Sequence, residues 1–186
     1  MNVVLDMDQT LIDNVDEMTI YPRPHLKVFL KYCFNTFETV GIWTLGTRSW
    51  FDQANVEVFE PIIKEINNEE STNYKFTFAY TRERSTIKSK FVGGLYFQQF
   101  RIKNLKKLWN RKDFPHTRHN TIIVDDNPDV YKYNFGNGVP INGYYWKSSF
   151  DRELIDLMFF LNRLQGHFEE HDTILHVEKR YWHAIV

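Results

Sequence analysis

The first apolar stretch, residues 2–7 (NVVLDM), runs without alternation, and such a run predicts a strand buried on both faces of a parallel sheet. Carboxylates close it, at Asp6 and Asp8. Pro22 and Pro24 bracket a turn, after which Leu26, Phe29, Leu30 and Phe34 recur at helical spacing and predict a helix over residues 25–37. Residues 38–44 read as the next strand. Ser49 is placed to cap a helix running from Trp50 towards Glu60, which Pro61 ends or kinks. Residues 75–80 alternate like a strand, Gly93-Gly94 predicts a hairpin turn between 88–92 and 95–100, and residues 102–110 read as a short basic amphipathic helix. Residues 121–124 form another buried strand, broken by Asp125-Asp126-Asn127-Pro128, and 136–138 form a loop. Leu154, Ile155, Met158, Phe159 and Leu161 place a closing helix over 151–164. Further on, 173–177 reads as an edge strand and 178–186 as a packed tail or a partner-binding end. Strands alternating with helices predict an α/β fold with a doubly wound parallel sheet. Residues 1–165 form its domain and 166–186 an extension.

Composition narrows the class. The chain of 186 residues is 42% hydrophobic and 17% aromatic, enough for one domain with a real core, and this excludes disorder as the dominant state. Mean hydropathy is −0.48. The most apolar helical stretch, 154–161, is broken by Asp156 and falls far short of the ~20 residues a membrane span needs. Asp6 and Asp8 interrupt any secretory apolar run, so the expectation is an intracellular protein, nuclear or cytoplasmic and not secreted. Cys33 is the only cysteine; it excludes an intramolecular disulfide and a cysteine zinc site, and its helical setting reads as core. The net charge of −1 hides an asymmetry: residues 1–70 hold 5 basic and 12 acidic side chains, residues 82–118 hold 11 basic and 2 acidic. Acid at a metal and base at an anion fit that distribution.

In a parallel sheet the functional crevice lies beyond the carboxyl ends of the strands. Asp6 and Asp8, Thr44, and Asp125-Asp126 all fall at such ends, which gathers four carboxylates at one rim. Carboxylate oxygens without nearby His or Cys favour a hard divalent cation, Mg²⁺ above others, and Mg²⁺ would in turn hold a phosphate. The residues alone leave other readings open. The paired acids also suit turns, Thr44 has Thr47 and Ser49 as neighbours of similar chemistry, and the lysines of the basic segment (Lys88, Lys90, Lys106, Lys107) also suit a solvated face.

The strand followed by D-x-D-x-T resembles the haloacid dehalogenase superfamily of aspartate-nucleophile phosphatases. Arg23-Pro24-His25 before a helix, Phe37-Glu38 before a strand ending Trp43-Thr44, Arg101-Ile102-Lys103-Asn104-Leu105, and Ile123-Val124-Asp125-Asp126-Asn127-Pro128 narrow the resemblance. Together, across residues 2–165, they resemble the small phosphatases of the RNA polymerase II C-terminal domain, also called NLI-interacting-factor-like. The resemblance implies a haloacid-dehalogenase-type sheet with a small hairpin insertion and no large cap domain. It also implies an Mg²⁺-dependent phosphatase that forms an aspartyl-phosphate and acts on phosphoserine or phosphothreonine in a protein or peptide, with no direct nucleic-acid or membrane partner. Asp6 would be the nucleophile, Asp8 the general acid and base, and Thr10 a brace for the loop. Thr44 and Lys103 would bind the phosphoryl group, and Arg82 would stand at the substrate entrance. Asp6, the Asp8 carbonyl and Asp126 would hold the metal with support from Asp125. A small-molecule or nucleic-acid-end phosphatase of the same superfamily, or a non-enzymatic binding module on this fold, are the alternative functions.

Three features depart from that family. Residues 11–21 are too few for the three-stranded insertion that seats a proline-containing phosphopeptide, so little apolar surface is expected there. Leu45-Gly46-Thr47 stands where small residues and serine are usual. The first strand begins at residue 2, which gives the expectation of a catalytic domain standing alone.

Overall fold

The computed structural model describes all residues except Glu17, Met18, Leu95, Phe135, Ser148 and Ser149. In chain order the elements are β1 (Asn2–Leu5), β2 (Ile12–Asp16), β3 (Thr19–Pro22), α1 (Leu26–Thr36), β4 (Thr39–Trp43), α2 (Arg48–Ala54), a π-helical turn (Asn55–Phe59) and α3 (Glu60–Glu70). They continue with β5 (Phe78–Tyr80), β6 (Thr86–Val92), β7 (Tyr96–Ile102), α4 (Lys106–Trp109), β8 (Thr121–Asp125), α5 (Pro128–Tyr131), β9 (Gly138–Pro140) and α6 (Glu153–His171). Five strands form one parallel sheet in the order β5-β4-β1-β8-β9, with β1 in its centre. That order reverses between β4 and β8 around β1, and the carboxyl ends at this switch carry Asp6, Thr44 and Asp125.

The alternation of strand side chains divides the core in two. Val3 and Leu5 of β1, Val40 and Ile42 of β4, and Ile122 and Val124 of β8 face the layer of α1, α3 and α6. Val4, Trp43 and Ile123 face the opposite side, against Leu105, Leu108 and Tyr131 around α4 and α5. Helices therefore cover both faces, the doubly wound α/β arrangement expected, with two small hairpins, β2–β3 and β6–β7, and no large cap among the described residues. Cys33 is buried in the core, as its helical setting predicted.

Several boundaries differ from the sequence reading, each for a physical reason. Thr47 caps α2 in place of Ser49: its hydroxyl accepts from the Trp50 N–H at 3.2 Å, and the Ser49 hydroxyl pairs with it at 3.1 Å. Pro61 does not end the helix. The π turn lets the Glu60 N–H reach the Asn55 carbonyl, so Pro61 enters the first turn of α3, where a missing N–H costs little. In the 75–80 segment the strand is Phe78–Tyr80, with Thr77 adding its N–H to the Val40 carbonyl of β4 at 2.8 Å. The predicted helix over 102–110 shrinks to Lys106–Trp109, because Ile102 still pairs with Thr86 and the Lys103 N–H is held by the Val130 carbonyl at 2.7 Å. Gly138 belongs to a strand, β9, and α6 runs on to His171. The edge strand predicted over 173–177 is absent: the Ile174 and Val177 carbonyls turn onto the buried Lys179 ammonium. The tail is packed, with Trp182 buried and its indole N–H donated to the Pro140 carbonyl. The 88–92 and 95–100 strands exist and lengthen to β6 and β7, while Leu95 lies outside the described residues, as do Glu17 and Met18 within 11–21.

Candidate active site

Beyond β1 the chain turns sharply. The Met7 carbonyl accepts the N–H groups of Leu11 at 2.9 Å and Ile12 at 3.1 Å, Gln9 takes a left-handed conformation (φ 58°), and its N–H bonds the Ile12 carbonyl at 2.7 Å. This turn leaves Asp6 at the strand tip and Asp8 on the loop. Arg23, buried itself, pins the loop from behind: Nη1 donates to the Thr10 carbonyl at 3.1 Å, while Nε and Nη2 grip Asp151 at 3.0 and 2.8 Å. A planar guanidinium suits such a bidentate clamp.

Lys103, only 1% exposed, donates to Asp6 Oδ1 and, at 2.6 Å, to Asp125 Oδ2. The Thr10 hydroxyl lies 3.2 Å from Asp6 Oδ2 and 3.3 Å from Asp126 Oδ1, bridging the first loop to the end of β8. Asp6, Asp125 and Asp126 can each offer an oxygen with all three within 4.8 Å of one another. Burial pushes the Asp6 carboxyl up to about 7, against the pull of Lys103, and it also raises Asp125 and Asp126. Burial works the other way on Lys103, yet the charges of Asp125 and Asp6 outweigh it and hold the ammonium above the ordinary lysine range. Fully ionised, the three carboxylates and one ammonium would leave two negative charges, and a divalent cation would both cancel them and favour that ionised state. With oxygen donors alone, the group fits a hard ion such as Mg²⁺.

At the neighbouring strand tip, the Thr44 N–H bonds the Tyr80 carbonyl and its hydroxyl donates to Asp8 Oδ2 at 2.7 Å. The same hydroxyl accepts the Gly46 N–H at 2.8 Å. Gly46 is needed there, since a Cβ would fall 2.6 Å from the Trp50 ring. Trp50 completes the environment of Asp8, donating its indole N–H to Oδ1 at 2.6 Å.

The fold thus brings Asp6, Asp8, Thr44, Lys103, Asp125 and Asp126 to the carboxyl ends of neighbouring strands in two contacting groups, Asp8 with Thr44, and Lys103 with Asp6 and Asp125 beside Asp126. Arg82 stands apart from those contacts: its N–H bonds the Gly46 carbonyl at 3.0 Å and its side chain is exposed beside the Thr44 loop. Sequence reasoning missed Trp50, the Arg23–Asp151 clamp and Asn134. Buried Asn134 donates to the Lys103 carbonyl at 2.7 Å and accepts the Leu105 N–H at 3.1 Å, fixing the main chain on both sides of the lysine stem. It also missed an aromatic surface beside the short insertion, where Tyr21 stacks on Trp146 at 4.8 Å and the Trp146 N–H bonds Asp13.

The sequence profile of the NLI interacting factor-like phosphatase family matches residues 1–173. Among curated proteins, the chain is similar to ubiquitin-like domain-containing CTD phosphatase 1 of Rattus norvegicus and of Homo sapiens, each 25% identical over 186 residues. The match takes in 97% of this chain and 53% of each relative, so the chain spans about half the length of the relatives it matches. Among solved structures it resembles Fcp1, described as an essential RNA polymerase II CTD phosphatase, with a TM-score of 0.63 and 16% identity. A fission yeast Fcp1 variant bound to beryllium fluoride gives a TM-score of 0.60 at 16% identity. Both alignments cover 99% of this chain and 69% of the other.

Proposed function

Because the chain belongs to the NLI interacting factor-like phosphatase family, we propose that it is an Mg²⁺-dependent phosphatase that removes phosphate from serine or threonine in proteins, including sequences like the RNA polymerase II C-terminal domain. The observation that carries this reading is the Lys103 ammonium held between Asp6 and Asp125, with Asp126 in reach: an acidic strand tip suited to a divalent cation and, through it and Lys103, to a phosphoryl group.

An Asp6 oxygen attacks phosphorus, and the bond from phosphorus to the substrate oxygen breaks as Asp8 gives its proton to the leaving alkoxide. Water then adds to the aspartyl-phosphate, Asp8 takes its proton, and the Asp6–phosphorus bond breaks to release phosphate. Asp6, Asp126 and the Asp8 carbonyl, with support from Asp125, would hold Mg²⁺, which when bound would supply the charge that lets a carboxylate approach a phosphoryl dianion. Lys103 adds a fixed positive charge where negative charge builds up, oriented before substrate arrives. The Thr44 hydroxyl, which donates to Asp8, can turn that proton to a phosphoryl oxygen when substrate binds. Arg82, exposed at the rim, is suited to meeting the substrate as it enters.

The test measures phosphate release from an aryl phosphate and from phosphoserine peptides, in Mg²⁺ and in excess chelator, beside sugar phosphates and phosphorylated DNA ends. Mg²⁺-dependent peptide hydrolysis is expected. Full activity in chelator, or turnover confined to sugar phosphates or DNA ends, refutes the reading.

A further inference from the structure

The β6–β7 hairpin stands out from the sheet, and most of its residues on both strands are exposed. Its register places Ile87 opposite Arg101, Ser89 opposite Gln99 and Phe91 opposite Phe97, and alternation puts these six side chains on one face. The other face is partly covered, with the Lys132 ammonium 4.7 Å from the Phe100 ring and Lys88 facing the Tyr133 ring. On the first face Ile87 is 52% exposed, Phe91 58% and Phe97 71%, with the two phenylalanine rings 4.9 Å apart. Solvent-facing aromatic pairs on a two-stranded ribbon gain nothing for the core, and a cluster of this kind marks a contact surface.

Its position says what would lie on it. The base of the hairpin is tied to the site: β7 runs directly into Lys103, and Arg101 donates to the Arg82 carbonyl at 3.1 Å and the Ser85 hydroxyl at 3.0 Å. Arg82 in turn holds the Gly46 carbonyl of the Thr44 loop. The hairpin carries no acidic residue; of its basic ones Arg101 lies on the apolar face and Lys88 and Lys90 on the other, so the whole arm is cationic, within a segment of 11 basic and 2 acidic side chains. A visitor that is acidic, apolar in one place and connected to the phosphoresidue matches all three features.

We infer that the β6–β7 hairpin is a docking arm for the protein substrate, seating an extended acidic segment whose bulky apolar side chain packs on Ile87, Phe91 and Phe97. The inference rests on the protein-phosphatase reading above. Phe97 lies six residues before Lys103, about 20 Å along a strand, so the apolar residue should stand about six residues from the phosphoserine in an extended peptide.

The experiment compares the full chain with Phe91→Ser/Phe97→Ser on three substrates: an aryl phosphate, a five-residue phosphopeptide, and fourteen-residue acidic phosphopeptides with leucine two or six residues from the phosphoserine. For the unaltered chain, KM should be about tenfold lower with leucine at six than at two. The variant should lose that advantage while turning over the aryl phosphate and short peptide as before. Fluorescence anisotropy with the labelled long peptide reads docking separately, so a chain that binds it through Phe97 but releases no phosphate refutes the phosphatase reading and leaves the arm standing. Equal binding of the long peptide by chain and variant overturns the inference. A concentration-dependent dimer abolished by the same substitutions, or RNA binding that they abolish, also overturns it, by assigning the face to another occupant.

Discussion

The indole N–H of Trp50 donates to Asp8 Oδ1 at 2.6 Å, on a carboxylate whose other oxygen takes the Thr44 hydroxyl at 2.7 Å. Two donors on two oxygens fix the plane of Asp8 and its aim. Trp50→Phe keeps the ring and removes the donor, so the expected result is a fall of about tenfold in kcat with KM little changed. The loss should be larger for an alkyl phosphate than for p-nitrophenyl phosphate, whose leaving group scarcely needs a proton. Equal losses on both substrates would assign Trp50 to structure alone.

Asp6→Asn should abolish turnover with the fold retained, because an amide does not attack phosphorus. Asp8→Asn should fall by about 10²–10⁴-fold, the usual contribution of general acid–base catalysis, and should accumulate phosphoenzyme. Mass spectrometry of the trapped protein is expected to find the phosphate on Asp6. An adduct on a serine, a histidine or Cys33 would contradict the assignment.

How much of this could be read from the chain follows from the range of each contact. Val3, Val4 and Leu5 announce a strand by themselves, and a strand end is where a carboxylate pair stands out, so Asp6 and Asp8 were legible. The partners that orient them were not. Trp50 reaches Asp8 across 42 residues, Asn134 reaches Lys103 across 31, and Arg23 reaches Asp151 across 128, and no local periodicity encodes such pairings. The π turn before Pro61 was illegible for a different reason: a proline normally stops a helix, and only the widened hydrogen-bond ring lets this one pass. The 173–177 strand failed because a buried lysine competes for the same carbonyls that a sheet would use.

Lys103 is the lysine of the basic segment that the fold buries between Asp6 and Asp125, and its neighbours provide the control. Lys103→Ala should lower turnover by about 10²–10³-fold, the effect of deleting one preorganised transition-state donor. It should also destabilise the fold, since Asp6 and Asp125 would stay buried with their shared cation gone; breaking a buried pair costs about 3–5 kcal/mol. Lys106→Ala and Lys107→Ala should leave turnover near the unaltered value, because Lys106 is exposed and Lys107 donates to the Arg84 and Ser85 carbonyls. Urea unfolding beside aryl phosphate kinetics separates the two effects, and an equal kinetic loss at Lys106 would show that the wrong cation was chosen.

Mg²⁺ binding has a readout that needs no turnover. Binding at Asp6, Asp125 and Asp126 should raise Tm on Mg²⁺ addition, and Asp126→Ala, which leaves the Lys103 pairs in place, should remove most of that rise. Ca²⁺ should inhibit, since its larger and looser coordination spoils the in-line geometry of transfer. A Tm indifferent to Mg²⁺ up to millimolar concentration would count against the metal assignment.

At the other end of the sheet, acid should act through His116. Its ring is buried between the hydroxyls of Thr39 at 3.0 Å and Thr121 at 3.2 Å, near the first residues of β4 and β8. Burial, aided by Arg111, lowers its pKa from the ordinary 6.5 to about 4. Between those values the unfolded chain binds a proton that the folded chain refuses, so stability falls as pH drops through 6.5 and levels off below 4. The loss is at most about 3 kcal/mol, from 1.36 kcal/mol per pKa unit. Urea midpoints at pH 7 and pH 5 should show it, and His116→Gln should be less stable at pH 7 yet lose less on going to pH 5. The same pH sensitivity in His116→Gln would mean that the acid response comes from elsewhere; the buried carboxylates around Lys103, held above their ordinary range, would act with the opposite sign.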